Sequence, residues 1–271
     1  MIEVILRRHR GKFDVNKKEP YELSRSRIEN FVKCPACFYM QQVEKIDFPS
    51  IPGFNINEAT DILLKKDFEF YRRHQKPHPY LVKNGLSHLI PYNHEHFYLW
   101  TQSLHFGAEN RFHYDDEINN LRVGGGLDDV WLNTNTKKLH IVDYKSTSQK
   151  SDNGPISLDD SWKGSYKRQM DLYIWVMRKM GFNVDDIGYF LYCDGNRFSD
   201  QPFLAEKNAN MEFKISLIPY ESDLGWIEPT LRNIYKNLRL EKRPPHNQYC
   251  EYGKFLNQSS EEKQIKIKTL F

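Results

Sequence analysis

The spacing of apolar positions changes along the chain, and the change separates helical from strand-forming stretches. Ser24 or Ser26 is placed to cap a short helix with Ile28, Phe31 and Val32 on its apolar face. Pro49, Pro52 and Gly53 mark a loop. Ile56, Ala59, Leu63 and Phe70 then recur at helical intervals, which predicts an amphipathic helix over residues 57–73. Residues 74–93, rich in proline and histidine, predict a loop with little regular structure.

From residue 120 the period shortens to two. Residues 120–133 are strand-like, with glycines where a bulge or close backbone approach belongs. Residues 134–137 have turn chemistry, and 138–145 alternate as a second strand with Leu139, Ile141, Asp143 and Lys145 on one face. A polar loop leads to a strongly amphipathic helix over 165–180, closed by Gly181. Residues 187–193 and 211–218 predict further strands, and 226–240 a helix stopped by Pro244-Pro245. The expectation is a basic arm (1–20), one α/β domain with a mixed sheet flanked by helices (21–257) and a frayed tail (258–271).

Composition narrows the class. With 39% hydrophobic and 28% charged residues in 271, the chain is neither disordered nor membrane-spanning, and its apolar runs fall far short of the roughly 20 residues a bilayer needs. The N-terminus carries charge on both sides of a short apolar run, unlike a signal peptide, so the cytoplasm is the default location. A net charge of +3 does not by itself announce nucleic acid. Cys34, Cys37, Cys193 and Cys250 are too sparse for a secreted disulfide framework.

Candidate chemistry lies on the hairpin. Asp143 and Lys145, two apart in a strand, project to one face, and closure near residues 134–137 brings Asp128 opposite Asp143. Two carboxylates beside a lysine suit a hard divalent ion such as Mg²⁺, with Lys145 orienting the attacking water. The plainer alternative is a surface hairpin with an ordinary ion pair. Asp129 falls on the opposite face and is expected to matter less. On the following helix Gln169 and Tyr173 lie one turn apart, with Lys167 and Arg168 upstream where they could meet a phosphate backbone.

Gly125-x-x-Asp128, then Asp143-x-Lys145, then Gln169-x-x-x-Tyr173, in that order, resemble the PD-(D/E)XK nuclease superfamily in its RecB-type branch, which includes the CRISPR-adaptation exonucleases. Ser24-x-Ser26-x-Ile28, Phe31, Cys34-Pro35 and the aromatics Phe38-Tyr39 are similar to that branch's first helix. The resemblance covers residues 21 to about 195 and implies a restriction-endonuclease-like sheet. It implies Mg²⁺- or Mn²⁺-dependent hydrolysis of DNA, single- or double-stranded, most simply by an exonuclease. Asp128 and Asp143 would hold the metal with the Tyr144 carbonyl, and Gln169 and Tyr173 would steady the scissile region. The branch takes a further ligand from an early helix, where this chain offers Asp61 or Glu58; Glu58 equally suits a helix N-terminus as a plain negative charge.

Some relatives hold an iron–sulfur cluster on four cysteines. Cys193 sits within an expected strand, which disfavours such a cluster here. Zinc held by Cys34, Cys37, Cys250 and His246 is the chemical alternative, and burial of Cys34 and Cys37 as small hydrophobes the plainer one. Cys34-x-x-Cys37 follows a helix rather than a strand, unlike a thioredoxin-type motif. A nuclease fold used only for nucleic-acid binding or assembly, and a structure-selective endonuclease, are the competing functions. No ATPase motif is present, so a helicase or recombination partner would be a separate chain.

Overall fold

The computed structural model describes residues 13–48, 53–104, 109–150 and 154–268, with side chains as far as residue 259. β1 (Tyr21–Ser24), α1 (Arg25–Lys33) and α2 (Pro35–Gln42) come first. Next come α3 (Asn55–His74), α4 (Pro79–Lys83), β2 (Leu89–Pro91), α5 (Phe97–Trp100), β3 (His113–Asp116) and β4 (Leu121–Gly124). The hairpin strands β5 (Asp129–Asn133) and β6 (Leu139–Thr147) precede α6 (Gly164–Lys179) and the long strands β7 (Ile187–Gly195) and β8 (Phe213–Glu221). Helices α7 (Ile227–Leu238) and α8 (Glu251–Lys268) end the described chain. No helix among the described residues is long and apolar enough to cross a membrane.

This is the expected mixed α/β architecture, and its contacts gather into two compact units: residues 1–50, 115–123 and 225–271, and residues 51–114 and 124–224. The first holds α1, α2, α7 and α8. Phe31 of α1 meets Phe38 of α2 edge to face, and the Tyr39 hydroxyl donates to the Leu240 carbonyl at 2.9 Å, beyond the end of α7. A three-stranded sheet runs in the order β1-β4-β3. The second unit is built on a five-stranded sheet, β2-β5-β6-β7-β8. Within this sheet β6 and β7 pair in parallel and the other neighbours antiparallel, and α6 makes the crossover between β6 and β7.

The sheet buries both faces. On one, Trp131, Val142, Tyr144 and Leu191 pack with Phe68 of α3, Leu81 of α4 and Leu89 of β2. On the other lies α6, whose residues from Gln169 to Met177 are all buried, so this helix is enclosed along its middle rather than amphipathic. The turn over 134–137 closes the hairpin as expected, with Lys137 at φ 59°.

Several elements depart from the pattern reading. Helix α3 forms, but Ile56, Leu63 and Phe70 are exposed and its inner face is Thr60, Leu64, Phe68 and Arg72, each four residues on from the last. Two of those four are polar, which is why hydrophobicity pointed to the wrong side. They find partners: the Thr60 hydroxyl contacts that of Ser146, and Arg72 meets Asp129. Residues 74–93 are not featureless, since Pro79 starts α4 and 89–91 form the edge strand β2, where Pro91 is tolerated. The glycines at 124–126 split the expected strand into β4 and β5. Backbone at residues 258–268 is helical rather than frayed. Of the expected N-terminal arm, residues 1–12 lie outside the described residues.

Asp129 does face away from Asp143 and Lys145, but it is a fully buried, multiply bonded carboxylate of the core. With no solvent exposure, it pairs with Arg72 and accepts from the Tyr144 hydroxyl (2.6 Å), the Trp131 indole (3.1 Å) and the Val130 backbone N–H (2.7 Å). Arg72 also donates to the Tyr92 carbonyl and stacks its guanidinium 3.7 Å over the Phe97 ring. Breaking a buried pair leaves its partner charge stranded. Asp129→Ala is therefore expected to lower unfolding free energy by about 3–5 kcal/mol, with Arg72→Met in the same background costing little more. Urea denaturation reads both; a single-variant loss under about 1 kcal/mol would remove the network from its structural role.

His140 on β6 supplies a pH test. Its Nδ1 donates to the Ile187 carbonyl at 2.7 Å, and burial pushes its pKa below the usual value against the weaker pull of that bond and of Asp185. The folded state thus disfavours the imidazolium, so this stability is present above pH about 6.5 and is lost as the pH falls. Melting temperatures measured from pH about 7.5 to about 5.5 should fall more steeply for the wild type than for His140→Gln. Equal slopes would refute this assignment.

Candidate active site

The β5–β6 register pairs Asp129 with Val142, which sets Asp128 across from Asp143 at the end of the hairpin ladder. The Tyr144 backbone N–H donates to Asp128 Oδ2 at 3.0 Å and fixes that carboxylate at the strand edge. Helix α3 approaches from one side. Lys65 Nζ lies 2.8 Å from Asp61 Oδ2 and 3.0 Å from Asp128 Oδ1, so one ammonium bridges two carboxylates. Burial, with the Asp128 charge added, raises the Asp61 pKa even though Lys65 opposes both. Burial alone would lower Lys65, but the two carboxylates outweigh it and hold the ammonium protonated.

From the other side α6 reaches Asp143, which is 1% exposed. Gln169 Nε2 donates to Asp143 Oδ1 at 2.6 Å, while Lys145 Nζ forms an ion pair with Oδ2. The two carboxylate oxygens thus have different partners, which fixes the rotamer. The Lys145 ammonium lies 4.7 Å from the Tyr166 ring centroid, a cation–π contact that holds it on the site side of α6. One turn beyond Gln169, Tyr173 packs edge to face on Phe112, with centroids 5.4 Å apart. Its hydroxyl fills the space beside Gly125: a Cβ built there would lie 2.6 Å from it.

The structure therefore brings together Asp61, Asp128, Asp143, Tyr144, Lys145 and Gln169, with Tyr173 bracing Gly125. Glu58 is different: it is exposed in the first turn of α3, where the helix dipole favours an acid, and the site's ion pairs run through Asp61. Lys167 pairs with Asp159 at 3.5 Å, and the Arg168 guanidinium lies beside Gly164. Both are partly exposed near the start of α6.

Sequence reasoning missed Lys65 and Tyr166. The Asp61-x-x-x-Lys65 spacing was a legible signal, because residues four apart meet on a helix. Tyr166 gave none, since its role depends on where β6 ends. An open cleft of about 490 Å³ also leads to Asp128, lined by Lys65, Lys66, Arg73, His94, Tyr98 and Thr101 among others.

Carboxylates and a strand carbonyl are hard oxygen donors, the set that Mg²⁺ and Mn²⁺ prefer. Three acids here meet only two ammoniums in partly or fully buried surroundings, which leaves carboxylate in excess. The residues fit a divalent ion. The cysteines belong elsewhere: Cys34, Cys37 and Cys250 gather with His246 in the first unit, while Cys193 lies on β7 in the second.

A sequence model of the PD-(D/E)XK nuclease superfamily matches residues 70–254. The match includes Asp128, Asp143, Lys145 and Gln169 and begins after Asp61 and Lys65. No curated protein matches the chain.

Gly125→Ala tests the packing that frames the site. Its methyl would have to displace the Tyr173 ring, so the expected result is a melting temperature lower by several degrees. Tyr173→Phe in that background, which removes the nearest atom, should recover part of the loss. No recovery would mean that the clash lies elsewhere.

Proposed function

Because the chain belongs to the PD-(D/E)XK nuclease superfamily, whose members are generally metal-dependent nucleases, we propose that it hydrolyses DNA phosphodiester bonds with Mg²⁺ or Mn²⁺, as an exonuclease of the RecB type. The observation that carries this reading is the Asp128–Asp143–Lys145 arrangement, with Asp143 held from both oxygens. Asp128, Asp143 and Asp61, with the Tyr144 carbonyl, would hold the ion, and Asp61 is preferred to Glu58 because Lys65 already ties it to Asp128. When bound, such an ion supplies Lewis-acid activation of a water and of a phosphate oxygen.

The protein's own groups do the rest. Lys145 donates a hydrogen bond to the attacking water and places positive charge beside the phosphoryl oxygens. Gln169 keeps Asp143 in the ion-holding rotamer, a positioning role. Lys167 and Arg168, partly exposed near the start of α6, would meet the phosphate backbone, and Lys66 of α3 offers a further cation in the cleft beside Asp128.

End-labelled single- and double-stranded DNA, closed-circular DNA and RNA, incubated with Mg²⁺, Mn²⁺ or EDTA, test the proposal. Metal-dependent degradation from ends, with closed circles intact, is the expected pattern. Asp143→Ala and Lys145→Ala should each reduce the rate on the order of 10²–10⁴-fold, and Gln169→Ala by about 10–100-fold with weaker metal dependence. Cutting of closed circles would make it an endonuclease. DNA binding without cleavage under every condition would leave a binding module.

A further inference from the structure

A second cluster of chemistry lies in the first compact unit, on residues the nuclease reading does not use. Cys34 precedes α2 and Cys37 sits in its first turn; His246 and Cys250 lie just ahead of α8, more than 200 residues later. Their donor atoms all fall within 4.8 Å of one another. His246 Nδ1 is 3.6 Å from Cys34 Sγ, 3.5 Å from Cys37 Sγ and 3.5 Å from Cys250 Sγ, and the Cys37 and Cys250 sulfurs are 3.3 Å apart. A tetrahedral ion with metal–sulfur bonds of about 2.3 Å and metal–nitrogen bonds of about 2.0 Å has ligand–ligand edges of about 3.5–3.8 Å. The observed edges are close to those of that tetrahedron. They are too long for a disulfide, and all four cysteines are free.

We propose that Cys34, Cys37, His246 and Cys250 bind a structural zinc ion. Three thiolates and an imidazole complete a four-coordinate shell, leaving no open position for substrate, and binding releases the three thiol protons to solvent. A multi-iron cluster would need its ligands set further apart than a single-ion shell allows, and histidine replaces the fourth cysteine. The surroundings are those of a metal site. The Gly253 backbone N–H points at Cys250 Sγ (3.4 Å), where a donor supports thiolate charge. Phe48 stacks on Tyr252 with centroids 4.1 Å apart, and Phe48 packs on the cysteines. Gly253 also leaves room for the histidine, because a Cβ there would lie 2.6 Å from His246 Cβ. The ion would join two segments of this unit that the whole second unit separates in sequence.

The test is elemental analysis and zinc-edge X-ray absorption on the full-length protein, purified under reducing conditions without chelator or metal affinity resin. About one zinc per chain with a three-sulfur, one-nitrogen shell is expected. Stripping it with a mercurial and a chromogenic chelator should lower the melting temperature by about 5–10 °C, reversed by added Zn²⁺ and thiol. Cys37→Ser and His246→Ala should lose the zinc, and Gly253→Ala, which removes no ligand, should release it faster. Wild-type protein that binds no zinc even when Zn²⁺ is supplied would overturn the proposal. Iron with acid-labile sulfide, or a Cys37–Cys250 disulfide in the reduced preparation, would do the same.

Discussion

A carboxylate removed entirely from water stays charged only if a cation and several hydrogen-bond donors meet it in the interior, and Asp129 has both. Its partners come from α3 (Arg72), from its own strand (Trp131 and the Val130 N–H) and from β6 (Tyr144). Sliding β5 against β6 by one residue would turn Asp129 to the other face and strand the Arg72 guanidinium. The network therefore locks the hairpin register and anchors α3 against it. Asp128, Asp143 and Lys65 owe their positions to that lock, although none of them belongs to it.

The locked hairpin then divides labour between two helices. Through Lys65, α3 ties Asp61 to Asp128; through Gln169, α6 orients Asp143, whose second oxygen carries Lys145. Acids outnumber ammoniums here, and burial, with the Asp128 charge added, raises the Asp61 pKa. The adjoining cleft mixes both signs of charge, with Lys65, Lys66, Arg72 and Arg73 set beside Glu69, Glu95, Asp128 and Asp129.

Legibility followed the range of the interaction. The hairpin was legible because a four-residue turn and a period of two leave few registers, which is also why Asp128 could be set opposite Asp143 before any coordinates. The α6 helix and its Gln169-x-x-x-Tyr173 spacing were legible for the same local reason. The inner face of α3 was not: Thr60 and Arg72 belong inside only because Ser146 and Asp129 wait for them, and the helix's own pattern contains neither partner. The edge strand β2 was hidden by Pro91, which an edge position tolerates.

What the sequence alone determined, then, is the period, punctuation and local spacing of its elements, along with the superfamily motif order that those spacings display. Tertiary structure decided the rest: the two compact units, the outward-facing apolar residues of α3, the Lys65 bridge, and the convergence of Cys34 and Cys37 with His246 and Cys250. The physical reason is common to all four. Each depends on groups distant in the chain satisfying one another's charge, hydrogen-bonding or ligand requirements, and no local pattern encodes a partner that lies up to 213 residues away.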